Sequence, residues 1–274
     1  MSISTFDDLI ASAKQVVSIT RFGTRTVVAG QAWFTTRDVY GQPWVSGLAV
    51  GNTANGVVPN DATAGYPRIT FSSGSGYLGG VWFGNTAAGA FMLYDRLFHA
   101  GAFAYNAGTA TLSSQPSYSA RVPLGTDYSN LQIWLEVSTA FASGNNWSAV
   151  VNYTNQAGVT GRATTSTGAI AAANLTLGRF WGPLQLQADD TGVQKIEGVV
   201  VTNGATVMTA GAFNVVVMKP LYTGRAFFSN DGSTWGIQRT MMPQVFPDSA
   251  LEVALAMDST SIGSAECYAV IVSN

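Results

Sequence analysis

Three short stretches hold residue types from which a catalytic or metal site could be built. Asp190-Thr191-Gly192 has the order that supplies the acid of aspartic proteases, a chemistry that needs two carboxylates sharing one proton. Here the tripeptide occurs once. It follows Gln187-Ala188-Asp189 rather than an apolar strand, and it continues with Val193 where that motif takes Ala or Ser. An Asp-Gly-type turn between two strands accounts for it better. His99 is the only histidine and Cys267 the only cysteine. A nucleophilic triad would have to use that single imidazole as its base. No Gly-x-Ser-x-Gly elbow occurs, and Cys267 lies in the apolar run from Glu266 to Val272, the setting of a buried structural thiol. One His and one Cys do not make an ordinary zinc site. Asp189 with Asp190, or Asn230 with Asp231, could at most share in loose Ca²⁺ binding. The Gly-rich run from Ser72 to Gly80 lacks the Lys-Ser/Thr ending of a phosphate loop and precedes no helix. These readings point to a non-enzymatic chain with no catalytic, cofactor-binding or metal residues.

Aromatic side chains are the remaining candidates. Trp44, Trp82, Trp147, Trp181 and Trp235 each sit near a turn-rich segment. A ring face can stack on a pyranose while neutral polar side chains satisfy its hydroxyls, which makes a glycan ligand the second expectation. A β-sandwich core or a subunit interface asks the same of Trp, and that is the reading preferred here.

The elements that must carry these residues read almost wholly as β. One helix is expected at the N-terminus, within an arm spanning 1–22. Ser4 and Asp7 have capping-box spacing, and Phe6, Leu9, Ile10, Ala13 and Val17 recur at helical spacing before Phe22-Gly23. Beyond it, a β-sandwich or jelly-roll-like antiparallel body is expected over 23–274, with a division into two lobes near residue 165 as the alternative. Leu131–Val137 alternates strictly, a turn-rich loop follows, and Trp147–Tyr153 resumes the alternation, so 131–153 reads as a hairpin. Asn203-Gly204 supplies the positive φ angles of a type I′ turn and predicts a second hairpin, with arms 193–201 and 206–218. A third joins 251–257 to 267–272. Further strands are expected near 25–36, 44–50, 67–72, 78–84 and 90–105. The stretch 160–176 is small and polar and reads as an exposed loop or weakly held arm. Asp127–Val137 faintly echoes Asp248–Met257, which raises duplication of a β lobe.

Composition then narrows the way of life. Only 28 of 274 residues are charged (13 Lys and Arg, 15 Asp and Glu), a 10% share against about 25% in ordinary soluble domains. Residues 39–60, 69–94, 97–120, 137–161, 163–178 and 198–218 hold no charge at all. A formal net charge of −2 without any Lys/Arg cluster argues against nucleic acid as a partner. The N-terminus lacks a basic region followed by an apolar one, so no secretory signal is expected. No apolar run reaches about 18 residues, so no membrane helix is expected. Among the basic residues, Arg far outnumbers Lys, as at interfaces. A neutral chain of this kind is suited to permanent subunit contacts, and the charge-free windows are expected to supply core and contact surface disproportionately.

The blocks YDRLFHAGAFAY (94–105), GRFWGPLQLQADDTGVQKIEGV (178–199) and GAFNVVVMKPLYTGR (211–225) resemble segments of structural proteins of tailed bacteriophages. That resemblance implies a β-sandwich or jelly-roll module of a virion assembled in the host bacterial cytoplasm, and it transfers no site residues. The expectation is a capsid decoration or shell- or tail-associated subunit. Its partners would be copies of itself and other virion proteins, not nucleic acid or membrane. The alternative is a carbohydrate-binding receptor-recognition module of a phage tail.

Overall fold

The structure, a computed structural model, describes residues 5–21, 26–27, 33–35, 52–71, 76–204 and 207–273. In chain order it runs α1 (Phe6–Ala11), β1 (Ala13–Arg21), β2 (Trp33–Thr35), β3 (Gly76–Asn85), β4 (Gly89–Ala104) and β5 (Thr109–Thr111). It continues with β6 (Gln132–Ala142), β7 (Trp147–Asn155), β8 (Arg162–Ala163), β9 (Arg179–Trp181), β10 (Val193–Asn203) and β11 (Ala210–Ala226). The last elements are β12 (Asp231–Trp235), α2 (Ile237–Thr240), β13 (Gln244–Val245), β14 (Leu251–Met257) and β15 (Ala265–Ser273). The chain is thus all-β with antiparallel pairing and a short N-terminal helix, as the alternation predicts.

Two compact units divide the chain. One comprises 1–47, 59–95 and 220–274, the other 48–58 and 96–219. The divisions fall inside β4 and inside β11, and residue 165 lies within the second unit.

In the first unit one sheet has the order β1-β15-β3-β12, with β13 also on β3. A second layer places β14 between β2 and β4. Alternate residues of both layers point inward, as period-two strands require. Leu78, Val81 and Phe83 of β3 and Cys267, Ala269 and Ile271 of β15 share a core with Phe91 and Leu93 of β4 and Val253 and Leu255 of β14. In the second unit the sheet β5-β10-β7-β8 faces a layer in which β6 lies between β9 and β11. Trp147, Val151 and Tyr153 of β7 and Ile196 and Val199 of β10 share a core with Ile133 and Leu135 of β6 and Phe213 and Val215 of β11. Each fully buried large apolar side chain contributes about 1.5–3 kcal/mol.

Several expectations are corrected. The N-terminal helix stops at Ala11, and β1 begins at Ala13 and pairs with β15 from Ala13↔Ser273 to Arg21↔Ala265. Val17 and Ile19 are buried while Val16 and Ser18 are exposed, which is strand alternation. The β-branched run and an otherwise open edge on β15 outweigh a helical spacing of apolar residues. The capping box also forms one residue later than expected. The Asp8 N–H donates to Thr5 Oγ1 at 3.1 Å and the Thr5 N–H to Asp8 Oδ2 at 2.9 Å.

None of the three expected hairpins forms. β6 pairs with β9 and β11 while β7 pairs with β8 and β10. β10 and β11 likewise lie in different layers, and so do β14 and β15. Each pair is an arch from one layer to the other. Gly204 is absent from the positive-φ glycines; a Cβ there would lie 2.7 Å from the Cβ of Asn146, so close approach, not a type I′ turn, is what requires glycine.

The stretch 160–176 is not a loose arm. Thr164 and Thr167 donate backbone N–H groups to Val151 and Ala149, and Ile170 bridges Trp147, so it lines the edge of β7. Of the other expected strands, 78–84 and 90–105 fall on β3 and β4, and 25–36 yields only β2 among its described residues. The part of 67–72 that is described forms no strand, and 44–50 lies outside the described residues.

Candidate functional site

Asp190 is the centre of a dense polar cluster, and its geometry is that of a pin. The turn lies just before the tripeptide, over residues 187–190, and Gly192 itself is bridged to Ser129. Asp189 has φ 72°, a left-handed value that Asp tolerates, and the Asp190 N–H donates to the Gln187 carbonyl at 3.1 Å. A Cβ on Gly192 would lie 1.9 Å from the Tyr128 carbonyl oxygen, so only glycine fits there. Tyr153 Oη donates to Asp190 Oδ2 at 2.6 Å and Asn155 Nδ2 to Oδ1 at 2.6 Å. Arg162 adds Nε to Oδ2 at 2.9 Å and Nη2 to Oδ1 at 3.1 Å. Desolvation alone would raise this carboxyl. The hydrogen bonds from Arg162, Tyr153 and Asn155 reverse that and hold it below the usual carboxylate range. Both oxygens are occupied by structural partners, which leaves neither for acid–base work.

Cys267 points into the first unit's core at 1% exposure. Burial pushes its thiol up to about 12, so it carries no thiolate character near neutrality. His99 lies on β4, buried, with its backbone bridged to Val57 in both directions. Cys267 and His99 belong to different units. No group of three or more His, Cys, Asp or Glu is placed to hold a metal ion among the described residues. Among those residues, too, no helix is long and apolar enough to cross a membrane.

What sequence reasoning missed is where the charges go. Asp95, Arg96, Arg121, Glu136 and Glu252 are all buried, at 2% exposure or less. In the second unit, Arg96 of β4 forks onto Glu136 of β6, with Nη1 to Oε2 at 2.9 Å and Nη2 to Oε1 at 2.5 Å. Asn214 Nδ2 of β11 adds 3.0 Å to Oε2, and Phe180 lies under the guanidinium at 5.9 Å. Burial pushes Glu136 up, but the Arg96 charge and the bonds from Arg96 and Asn214 outweigh it, and the carboxyl is held below its ordinary value. Arg121 Nη2 donates to the carbonyls of Arg96 and Leu97. In the first unit, Asp95 accepts from Ser249 Oγ and from the Ala250 N–H, both at 2.8 Å, and Tyr66 Oη donates to Glu252 Oε2 at 3.3 Å. The available signal was a lone charge inside a run apolar on both faces, as in YDRLF and IWLEV.

The tryptophans separate cleanly. Trp147 and Trp235 are core residues. The face of Trp181 is covered by the Arg179 guanidinium at 4.9 Å. Trp44 lies outside the described residues. Trp82 is partly exposed on the outer face of a sheet, with polar groups around it. The benzene half of its indole rests over Gly84 of its own strand and its pyrrole edge over Gly232 of β12. Cβ atoms at those positions would come within 2.7 and 2.8 Å of the ring. Tyr268, its cross-strand neighbour on β15, lies 5.2 Å away with the rings at 45°. Glu266, Asp231, Asn230 and Thr86 complete a cleft of about 260 Å³. A second groove, about 280 Å³, is lined in the other unit by Gln115, Ser117, Tyr128, Thr154, Gln194 and Lys195 and offers no open aromatic face.

No protein-family model matches the chain, and no curated protein matches its sequence. Among solved structures it is weakly similar to the infectious bursal disease virus VP2 subviral particle. That similarity has a TM-score of 0.21 and 8% identity, over 96% of this chain and 80% of that one. A structure of the Gx strain of the same virus gives a TM-score of 0.21 and 12% identity, covering all of this chain and 62% of that one. The finding is a β-rich chain weakly similar to a viral capsid protein.

Proposed function

We propose that this chain is a non-enzymatic virion structural protein of the tailed-phage kind, a capsid decoration or shell- or tail-associated subunit assembled in the bacterial cytoplasm. It associates with copies of itself and with other virion proteins by burying neutral, aromatic-bearing β surface.

One observation carries the reading. A chain already poor in charge turns five of its charged residues inward and leaves large apolar side chains outside. Phe227 and Phe228 are 67% and 73% exposed, Met241 82% and Leu124 95%. Surface charge is what ordinarily keeps a soluble protein apart from its copies, and obligate interfaces resemble a core cut in half. The occupied carboxylates of Asp190 and Glu136 and the buried thiol fit a non-catalytic role.

Light scattering at micromolar concentration and a protein inventory of purified particles test this. An oligomer, present in particles, is expected. Replacing Phe227 and Phe228 together by Ser should lower the association state while the chain stays folded, because neither side chain is buried in the chain. A stable wild-type monomer that is absent from particles overturns the proposal.

A further inference from the structure

The cleft around Trp82 has no part in the buried pins or in the exposed Phe227–Phe228 surface, yet it is a built feature. Two glycines on adjacent strands are kept clear so that an indole can lie against the sheet. The register places Gly84 opposite Gly232 on one side and opposite Glu266 on the other. The indole packs against the backbone of both glycines and keeps partial exposure. Tyr268 lies 5.2 Å from the indole with the rings tilted at 45°, so the two are not the facing walls of a cage, and of the two only Trp82 lines the cleft. Asp231 and Glu266 stand beside it, with Asn230 and Thr86 at the rim.

We infer that this cleft binds a neutral hexopyranose, its C–H face on the indole of Trp82 and its hydroxyls on Glu266, Asp231 and Asn230. A saccharide is amphipathic in the sense this site requires: apolar on one face and hydroxylated at its edge. Ligand sites combine an aromatic wall with a few placed polar groups in this way. Each carboxylate keeps acceptor capacity for a ligand. Asp231 Oδ1 receives one bond, from the Gly232 N–H at 2.8 Å, and Glu266 Oε2 one from Tyr268 Oη at 3.4 Å. Two carboxylates at the rim repel anionic sugars. The volume, below the roughly 300 Å³ at which drug-sized pockets begin, suits one ring. A single aromatic ring is a poor receptor for a quaternary ammonium, which asks for several ring faces around it. The inference stands independently of the assembly reading, because a monomer would carry the same cleft.

The test is saturation-transfer NMR and titration of the full chain with D-glucose, D-galactose, D-mannose, N-acetylneuraminic acid and choline. At least one neutral hexose should bind saturably. Binding should weaken about tenfold in Trp82→Ala, the scale of one lost aromatic stacking contact. Gly232→Ala, whose methyl would displace the ring, should weaken it similarly. Glu266→Gln alters only a surface carboxylate, so it reports on the site even if the other variants fold poorly, and it should weaken binding several-fold. Binding of none of the three hexoses, binding of only neuraminate or choline, or hexose binding unchanged in folded Trp82→Ala or Glu266→Gln overturns the inference.

Discussion

Replacing Glu136 by Leu removes a carboxylate that is fully buried and takes three side-chain hydrogen bonds, two from Arg96 and one from Asn214. The Arg96 side chain is only 1% exposed, so its charge would lose the counter-charge it was buried against. Breaking such a pair from one side costs about 3–5 kcal/mol. For a domain of this size each kcal/mol moves Tm by about 2–4 °C, so the midpoint should fall on the order of 10 °C. The opposite expectation holds for the double replacement Arg96→Met with Glu136→Leu. Removing both ions also removes both desolvation costs, and apolar replacements of similar volume are often neutral or stabilising. Most of the loss should therefore return.

The assay is a double-mutant cycle by thermal and denaturant unfolding at neutral pH, repeated in acid. Folding depresses the Glu136 carboxyl, so its stabilising contribution is fully present above the unfolded value of about 4.3. It is lost as pH falls through the lower folded value. Wild type should shed stability over that acid range by a margin absent from the Met/Leu double variant. Additive single-site losses, with a double variant worse than either single one, would refute the claim that these charges are buried for each other.

Two further outcomes follow from the same geometry. Cys267 should resist alkylation and disulfide reagents in the native state and react only after denaturant is added, because its thiol is buried and pushed up to about 12; rapid native labelling would contradict this. Tyr153→Phe removes the hydroxyl that donates to Asp190 and accepts from the Gln187 N–H at 2.9 Å. It should cost about 1–3 kcal/mol, measured by denaturant midpoint, and a neutral result would show the pin to be dispensable.

The alternation of Ile133, Leu135 and Val137, and of Trp147, Ala149 and Val151, marks inward faces correctly, and both sets are buried. What alternation does not encode is the partner. A strand pair joined as a hairpin and a pair joined as an arch over the core show the same period, because both present one face to the interior. Only pairing distant in sequence, such as β6 with β11, distinguishes them. The N-terminal error has the same origin: residues 13–21 satisfy a helical stripe locally, and the edge of β15, over 240 residues away, decides against it. Sparse charge was legible too, but its placement was not. The charge-free windows do not monopolise the core: Leu251–Met257 carries Glu252 and is buried almost throughout, while much of 163–178 is exposed. The spacing of turns marks Trp82 no differently from the buried Trp147 and Trp235. The two glycines that seat the ring sit on different strands and become meaningful only in register.

The arches give the chain a regularity that no sequence comparison between its halves would find. In the first unit β3 arches to β4 and β14 arches to β15, with β3 pairing β15 and β4 pairing β14. In the second, β6 arches to β7 and β10 arches to β11, with β6 pairing β11 and β7 pairing β10. Each set of four therefore pairs its first strand with its last and its second with its third, the pairing of a long hairpin folded over itself as in a jelly roll. The faint echo between 127–137 and 248–257 joins β6, a first strand, to β14, a third strand, so it does not mark this repeat. The repeat is one of pairing, and pairing tolerates wide sequence change provided each strand keeps one apolar face. That is the condition under which a nearly neutral sequence can still specify its strands: the buried Arg96–Glu136 and Asp95–Ser249 contacts fix positions in the two units that apolar alternation alone would leave free to slip by two residues.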